Sequence, residues 1–324
     1  MTGSSAAALP QLSIQVVNFA AEPPGDWTRL SDHAVAADRA GVDRLAVADH
    51  VAFGDDLDDY GDPSKGGTIG GRQPTGPGGA WLEPLTSLTW LAARTEKIRL
   101  QTGILLAALR RPVVLAKTAA TLDVLSDGRL DLGVGVGWQA AEYESAGLDF
   151  TNRGRLLDHS LEVCRALWAG EPTAYTSDEL AFDDIQAMPS PVHGNGVPIW
   201  VSGTVNRRTA RRLATFGCGW IPWGADRADV VNGIAAMRAL QEEMDLDARP
   251  FEVQGSLPVV RNDTGDVDVP LTMEGVAPLV EAGVTDCRIA VPLPADPSGA
   301  EDVLAELVAS FRAVTGRGDI EPSP

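Results

Sequence analysis

Residues 98–138 read IRLQTGILLAALRRPVVLAKTAATLDVLSDGRLDLGVGVGW. Ile98–Thr102 has the apolar and β-branched character of a short strand. Pro112 opens a helix that reaches Leu125, and proline suits a first helical turn, where its missing N–H is no loss. Ser126-Asp127-Gly128-Arg129 turns the chain. Leu130–Val134 is the next strand. This strand–helix–strand unit sets the pattern for the rest of the chain.

The alternation continues in both directions. Upstream, Leu12–Asn18 reads as a strand and Trp27–Ala40 as a helix stopped by Gly41. Arg44–Ala48 is a strand ending in Asp49-His50, and Glu83–Ala93 is a helix. Downstream come a short helix, Glu142–Gly147, and a long one, Asn152–Trp168. Then strands Ile199–Ser202, Gly219–Trp223, Phe251–Val260 and Asp286–Val291 alternate with helices Arg207–Phe216, Arg227–Met244, Thr272–Ala282 and Leu304–Val314. Eight strands, each followed by a helix, predict an α/β fold of the (β/α)8 TIM-barrel type. An open doubly wound sheet is the alternative. The count of eight and the lack of GxGxxG after the first strand weigh against it. One domain is expected over residues 12–316, with tails at 1–11 and 317–324. Insertions fall at 51–80, rich in Gly, Asp and Pro, and at 170–198, which holds a hairpin pattern. Structureless stretches of this length are commonly functional.

Composition narrows the function. Hydrophobic residues make up 44% of the 324 residues, enough for a large core. No apolar run reaches the roughly 18–20 residues of a membrane span, and the first residues lack a signal-peptide pattern. The net charge of −19 argues against nucleic acid as a partner. Cys164, Cys218 and Cys287 are far apart and odd in number. They form neither a disulfide framework nor a zinc pattern, so a reducing cytoplasm is expected. The Asp55–Asp59 run reads as a solvated loop rather than a metal site.

In a TIM barrel the chemistry lies at the C-terminal ends of the strands, and four segments fall there. The first is Asp49-His50. Histidine titrates near neutral pH and suits general acid–base work; the plain alternative is a buried, hydrogen-bonded histidine. His33, His159 and His193 lie on helices or in the Pro-rich segment and are weaker candidates. The second is Gly133–Glu142, where Gly135, Val136 and Gly137 admit a flat ring and Trp138 covers it; barrel packing explains such glycines equally well. The third is Ser202-Gly203-Thr204, before a helix, which suits an anion or ordinary capping. The fourth is Thr102-Gly103-Ile104, an apolar wall or plain core. Phe19, Trp81 and Trp223 are candidates for a pocket lining. There is no nucleophile elbow, HExxH or Walker A pattern, which disfavours hydrolases and phosphoryl transferases.

Taken together, LAVADH at the second strand end, the block RRPVVLAKTAATLDVLSDGRLDLGVGVGWQAAEYESAGLDFTNRGRLLD and PIWVSGTVNRRTARRLATFGCGW resemble the bacterial luciferase-like monooxygenase family. Within it they are most similar to the deazaflavin (coenzyme F420) oxidoreductases common in actinobacteria. The resemblance implies a flavin-type ring at the C-terminal face. It implies His50 as the active-site histidine and Asp49 as its ring-contacting neighbour. It implies a non-proline cis peptide at Gly103-Ile104 pressing on the ring, with Thr102 beside it. Gly135, Val136, Gly137 and Trp138 fall in the cofactor loop, and Ser202, Gly203 and Thr204 at the cofactor phosphate. The implied reaction is hydride transfer to or from a small organic substrate. The alternatives are an FMN monooxygenase fed by a separate reductase, and a barrel that binds flavin without turnover. A homodimer through the helices after strands two and three is implied, permitted by an apolar face at Leu85, Leu88 and Leu91. The sugar-6-phosphate dehydrogenases of the family place a glutamate where this chain has Trp138, and use lysines that this chain lacks beyond Lys117. Their substrate is therefore not expected. Trp138 rather than a second acid is expected across from His50, leaving His50 as the only strong acid–base group.

Overall fold

A computed structural model describes residues 9–247 and 249–317. The expected tails at 1–11 and 317–324 lie mostly outside the described residues. Their inner ends are ordered parts of the domain: Gln11 begins the first strand, and Arg317 pairs with Asp43 at 2.7 and 2.9 Å.

Eight parallel strands close a barrel. They are β1 (Gln11–Gln15), β2 (Arg44–Val47), β3 (Arg99–Thr102), β4 (Leu130–Val134), β5 (Ile199–Gly203), β6 (Gly219–Pro222), β7 (Glu252–Leu257) and β8 (Asp286–Ile289). Each pairs with its sequence neighbour, and β8 returns to β1 with Gln11 opposite Asp286. The expected barrel is therefore the fold observed. β2 and β4 are buried along their whole length, as strands covered on both faces must be.

The outer layer holds α1 (Thr28–Ala40), α2 (Pro84–Ala92), α3 (Pro112–Leu125), α4 (Ala140–Ser145), α5 (Arg153–Trp168), α6 (Arg207–Phe216), α7 (Ala225–Ala228), α8 (Val230–Glu243), α9 (Val269–Met273), α10 (Val276–Ala282) and α11 (Pro297–Thr315). Two expected helices are each broken in two. Asp229 interrupts Arg227–Met244 and caps α8 on Asn232 N–H, and Glu274-Gly275 separates α9 from α10. The last helix starts at Pro297, not Leu304, with Asp296 capping Gly299 N–H at 2.7 Å; its first turns carry no apolar period to read. No helix among the described residues is long and apolar enough to cross a membrane.

Leu85, Leu88 and Leu91 are 2% exposed or less. They are buried within this chain's own barrel layer, which corrects their reading as a free dimer face. Among the exposed apolar residues, Val113, Val114, Val124 and Leu125 lie on α3.

The hairpin in 170–198 forms from Thr173–Thr176 and Ala181–Ile185. A second ribbon pairs Phe19–Ala20 with Ala80–Trp81 and anchors the far end of the 51–80 loop. That loop has its own short 3-10 turns, Leu57–Gly61 and Pro63–Lys65.

The barrel interior carries a charged layer that periodicity did not disclose. Arg44 reaches Asp131 at 2.9 Å and Asp286 at 3.1 Å, and Arg99 reaches Asp131 at 2.7 Å. The guanidinium of Arg44 also lies 4.5 Å from the ring centre of Trp200, a favourable cation–π distance.

Candidate active site

At the C-terminal mouth a cavity of about 240 Å³ is walled by strand ends and by the 51–80 loop. Asp49 and His50 reach it because Asn18 holds the end of β2. The Asn18 side chain donates to Ala48 O (2.8 Å) and Leu82 O (3.0 Å) and accepts from Ala48 N–H (3.0 Å). One buried amide thus joins the ends of two strands to the exit of the loop.

His50 is held by Glu142. Its Nδ1 lies 3.1 Å from Glu142 Oε2, and Glu142 Oε1 accepts Val51 N–H at 2.8 Å. Glu142 is 1% exposed. Gln139, three residues earlier, accepts Gly54 N–H at 3.1 Å. Gln139, the residue before α4, and Glu142 in its first turn thus staple the segment after β2 through both side chains. A carboxylate only accepts hydrogen bonds. The hydrogen bond of this pair is therefore donated by His50 Nδ1–H. The one described partner at Nε2 is the Gln73 amide, at 3.5 Å. Glu142 is thus a partner of His50 that the sequence reading did not name, and it is not among the residues lining the cavity, where Trp138 stands with His50.

Asp49 is turned away from His50. It accepts Arg110 Nη1 at 2.6 Å, Arg110 Nη2 at 3.1 Å and Leu106 N–H at 2.8 Å. Burial pushes its carboxyl up, and Arg110 with the Leu106 N–H pulls the other way. Arg110 also meets Glu83, the cap of α2, at 2.8 Å.

Aromatic rings enclose the imidazole. Its centroid lies 4.3 Å from Phe53, 4.7 Å from Trp81 and 6.0 Å from Trp138. Tyr60 stands 5.3 Å from Trp138 and 6.0 Å from Trp223, and Trp223 Nε1 donates to Gly66 O at 3.0 Å. The 51–80 loop is thereby fastened over the mouth. Trp138 Nε1 is buried without a partner.

A larger groove of about 680 Å³ continues outward, sharing Gly66, Val136, Ser202, Gly203 and Trp223 with the first cavity. It is lined by Thr204, Arg153 and Arg208. The start of α6 is capped by Asn206, whose Oδ1 accepts the N–H groups of Arg208 and Thr209 at 3.0 Å each. Neither Ser202 nor Thr204 is the capping residue.

Of the sequence-selected residues, Asp49, His50, Gly103, Ile104, Gly135, Val136, Gly137, Trp138, Ser202 and Gly203 line the inner cavity, and Thr204 lines the groove. Gly103-Ile104 is a cis peptide. Phe19, Trp81 and Trp223 line the cavity as well. Thr102 is the exception: it is fully buried and its hydroxyl donates to Gly133 O at 2.7 Å, so it joins β3 to β4. His33, His159 and His193 bond Pro294 O, the Tyr175 hydroxyl and Gly128 O, away from the cavity. The described residues hold no cluster of metal-binding side chains, and the three cysteines are unpaired. Burial pushes the Cys218 and Cys287 thiols up to about 12, so they are inert near neutral pH. Sequence reasoning missed Glu142, Asn18, Arg110, Arg153 and Arg208. The one available signal was the i, i+3 pair Gln139 and Glu142 inside the glycine-rich block.

The luciferase-like monooxygenase family profile matches residues 12–268, and the chain belongs to that family. It is an enzyme of the oxidoreductase class. An uncharacterized protein of Mycobacterium tuberculosis is 30% identical over 211 residues, covering 65% of this chain and 70% of its own length. An F420-dependent secondary alcohol dehydrogenase, solved with an F420–acetone adduct, superposes with TM-score 0.67 at 16% identity, over 94% of this chain and 99% of its own. The FMN-bound oxygenating constituent of 3,6-diketocamphane monooxygenase from Pseudomonas putida gives TM-score 0.69 at 14% identity, over 94% and 98%. At such identities the two structures speak to the fold.

Proposed function

We propose that this chain is a coenzyme F420-dependent oxidoreductase acting on a small organic substrate. The observation that carries the reading is one continuous site. An aromatic-walled cavity lined by His50, whose Nδ1 is held by Glu142, runs into a groove lined by Arg153 and Arg208. A flat ring with an anionic tail has that shape.

When bound, the deazaflavin ring would supply or accept a hydride. His50 would carry the matching proton at Nε2, taking it from a substrate hydroxyl during oxidation and returning it during reduction. Glu142 fixes the tautomer and stabilises the charged imidazolium. Phe53, Trp81 and the fastened loop exclude water. The phosphate would rest on Arg153, Arg208 and the Thr204 hydroxyl, because Asn206 already takes two of the first N–H groups of α6.

Beyond its phosphate the deazaflavin cofactor bears carboxylates, whereas FMN ends at the phosphate. The sequence RRTARR at the start of α6 leaves Arg207, Arg208 and Arg211 exposed in a chain of net charge −19. A polyanionic tail would find its attraction there, and this favours the deazaflavin. Binding measured at rising salt tests the point: deazaflavin affinity falls more steeply than FMN affinity. The second reading, an FMN monooxygenase fed by a separate reductase, is supported by the family and by the FMN-bound neighbour. Oxygen-dependent product formation with reduced FMN would favour it. A homodimer through the exposed valines and leucine of α3 completes the proposal, with light scattering as its check.

A further inference from the structure

Arg288 projects from β8 into the barrel beside the Gly103-Ile104 peptide. Its Nη2 donates to Gln101 Oε1 at 2.7 Å, and its Nε has no partner. A Cβ at Gly103 would lie 3.0 Å from Arg288 Nη1, so the guanidinium sits close against the backbone there. Arg227 comes to the same place from α7 at the rim, its Nε donating to Ser256 Oγ at 3.1 Å. Both arginines, with Gln15, Gln254, Ser202 and Ser256, line a cavity of about 80 Å³. Gln15, Gly103, Ile104, Ser202, Trp223 and Arg227 are common to it and the ring cavity.

Neither guanidinium has a carboxylate partner among the described residues. The acid nearest in sequence to Arg288, Asp286, is taken by Arg44 at 3.1 Å and Gln254 at 2.7 Å. The interior arginine Arg44 and the site arginine Arg110 are ion-paired. A guanidinium drawn from water without a counter-ion is costly, and burial pulls Arg288 down to about 10. Arg288 is such a group, and the exposed Arg227 brings a second positive charge to the same small space, so the pair suits an anion. The space admits a carboxylate head and not a tricyclic ring.

We infer that Arg288 and Arg227 form the recognition site for a carboxylate on the substrate, beside the reacting end of the ring cavity. This rests on the reading of that cavity as the cofactor seat.

The test is a calorimetric titration of the purified chain with benzoate and with benzamide, alone and then saturated with oxidised deazaflavin. Benzoate should bind in both states and clearly more tightly than benzamide. Arg288→Gln and Arg227→Gln should each weaken benzoate by about 10- to 100-fold, and Arg288→Gln, at a residue outside the lining of the ring cavity, should leave deazaflavin affinity at the wild-type value. Arg227 is exposed at the rim, so its variant reads the site even if Arg288→Gln fails to fold. Equal affinity for acid and amide, or no benzoate binding, overturns the inference. Competition between benzoate and deazaflavin also overturns it, because the arginines would then belong to the cofactor. If deazaflavin does not bind but benzoate selectivity and its loss in the variants stand, the cofactor reading falls and the anion site remains.

Discussion

Glu142 and His50 are 92 positions apart and meet at 3.1 Å. Nothing local in the sequence joins them. His50 was legible because a histidine at a strand end in a barrel lies on the reactive face. Glu142 was not, because a glutamate in the first turn of a short helix reads as an ordinary helix-favouring acid. His50→Gln should lower turnover by about 10²–10⁴-fold. Glu142→Gln keeps the shape and removes the charge. It should lower kcat by a smaller factor, with cofactor affinity unchanged, as steady-state kinetics beside a binding titration would show. A KM effect alone would deny Glu142 its positioning role. The glycines divide similarly: a Cβ on Gly133 would stand 2.0 Å from Thr102 O, so this glycine serves strand contact rather than a ligand. Gly133→Ala should destabilise the fold by about 1–3 kcal/mol, measured by urea unfolding.

At the scale of elements, strands and helices were readable because each carries its own period and stops. The 51–80 loop was readable only as an insertion. Its course depends on single bonds to distant residues, such as Trp223 Nε1 to Gly66 O at 3.0 Å and Gly54 N–H to Gln139 Oε1 at 3.1 Å. No periodicity encodes such contacts. Trp223→Phe keeps a ring and removes the first bond. One hydrogen bond is worth about 1 kcal/mol net, so the loop should open about fivefold more often. Trypsin should then cut faster at the exposed Lys65 and Arg72. An unchanged cutting rate would show that this bond does not fasten the loop.

For the whole molecule, the count of eight strands decided the barrel and the strand ends located the site. The charged layer inside the barrel stayed hidden, because Arg44, Arg99, Asp131 and Asp286 sit in runs that otherwise read as plain strands. Asp131 meets both arginines at 2.9 and 2.7 Å. Burial works to raise its carboxyl, but Arg44 and Arg99 outweigh that and hold it below its ordinary 3.8. A carboxyl lowered by folding adds stability that is full above its unfolded value and is lost as pH falls through its folded one. Asp131→Asn should therefore cost about 3–5 kcal/mol at neutral pH. Its deficit against the wild type should shrink well below pH 3.8, as urea midpoints at the two pH values would record. A deficit independent of pH would contradict the ion-pair account.

The central claim is that the aromatic cavity and its arginine-lined groove seat a deazaflavin. Titrating the purified chain with oxidised coenzyme F420 and, separately, with FMN tests it most directly, with cofactor fluorescence as the readout. The account predicts saturable micromolar binding of the deazaflavin, weaker binding of FMN, and loss of deazaflavin affinity when Arg153 and Arg208 are both changed to Gln. No deazaflavin binding at micromolar concentrations, or a clear preference for FMN, would contradict it.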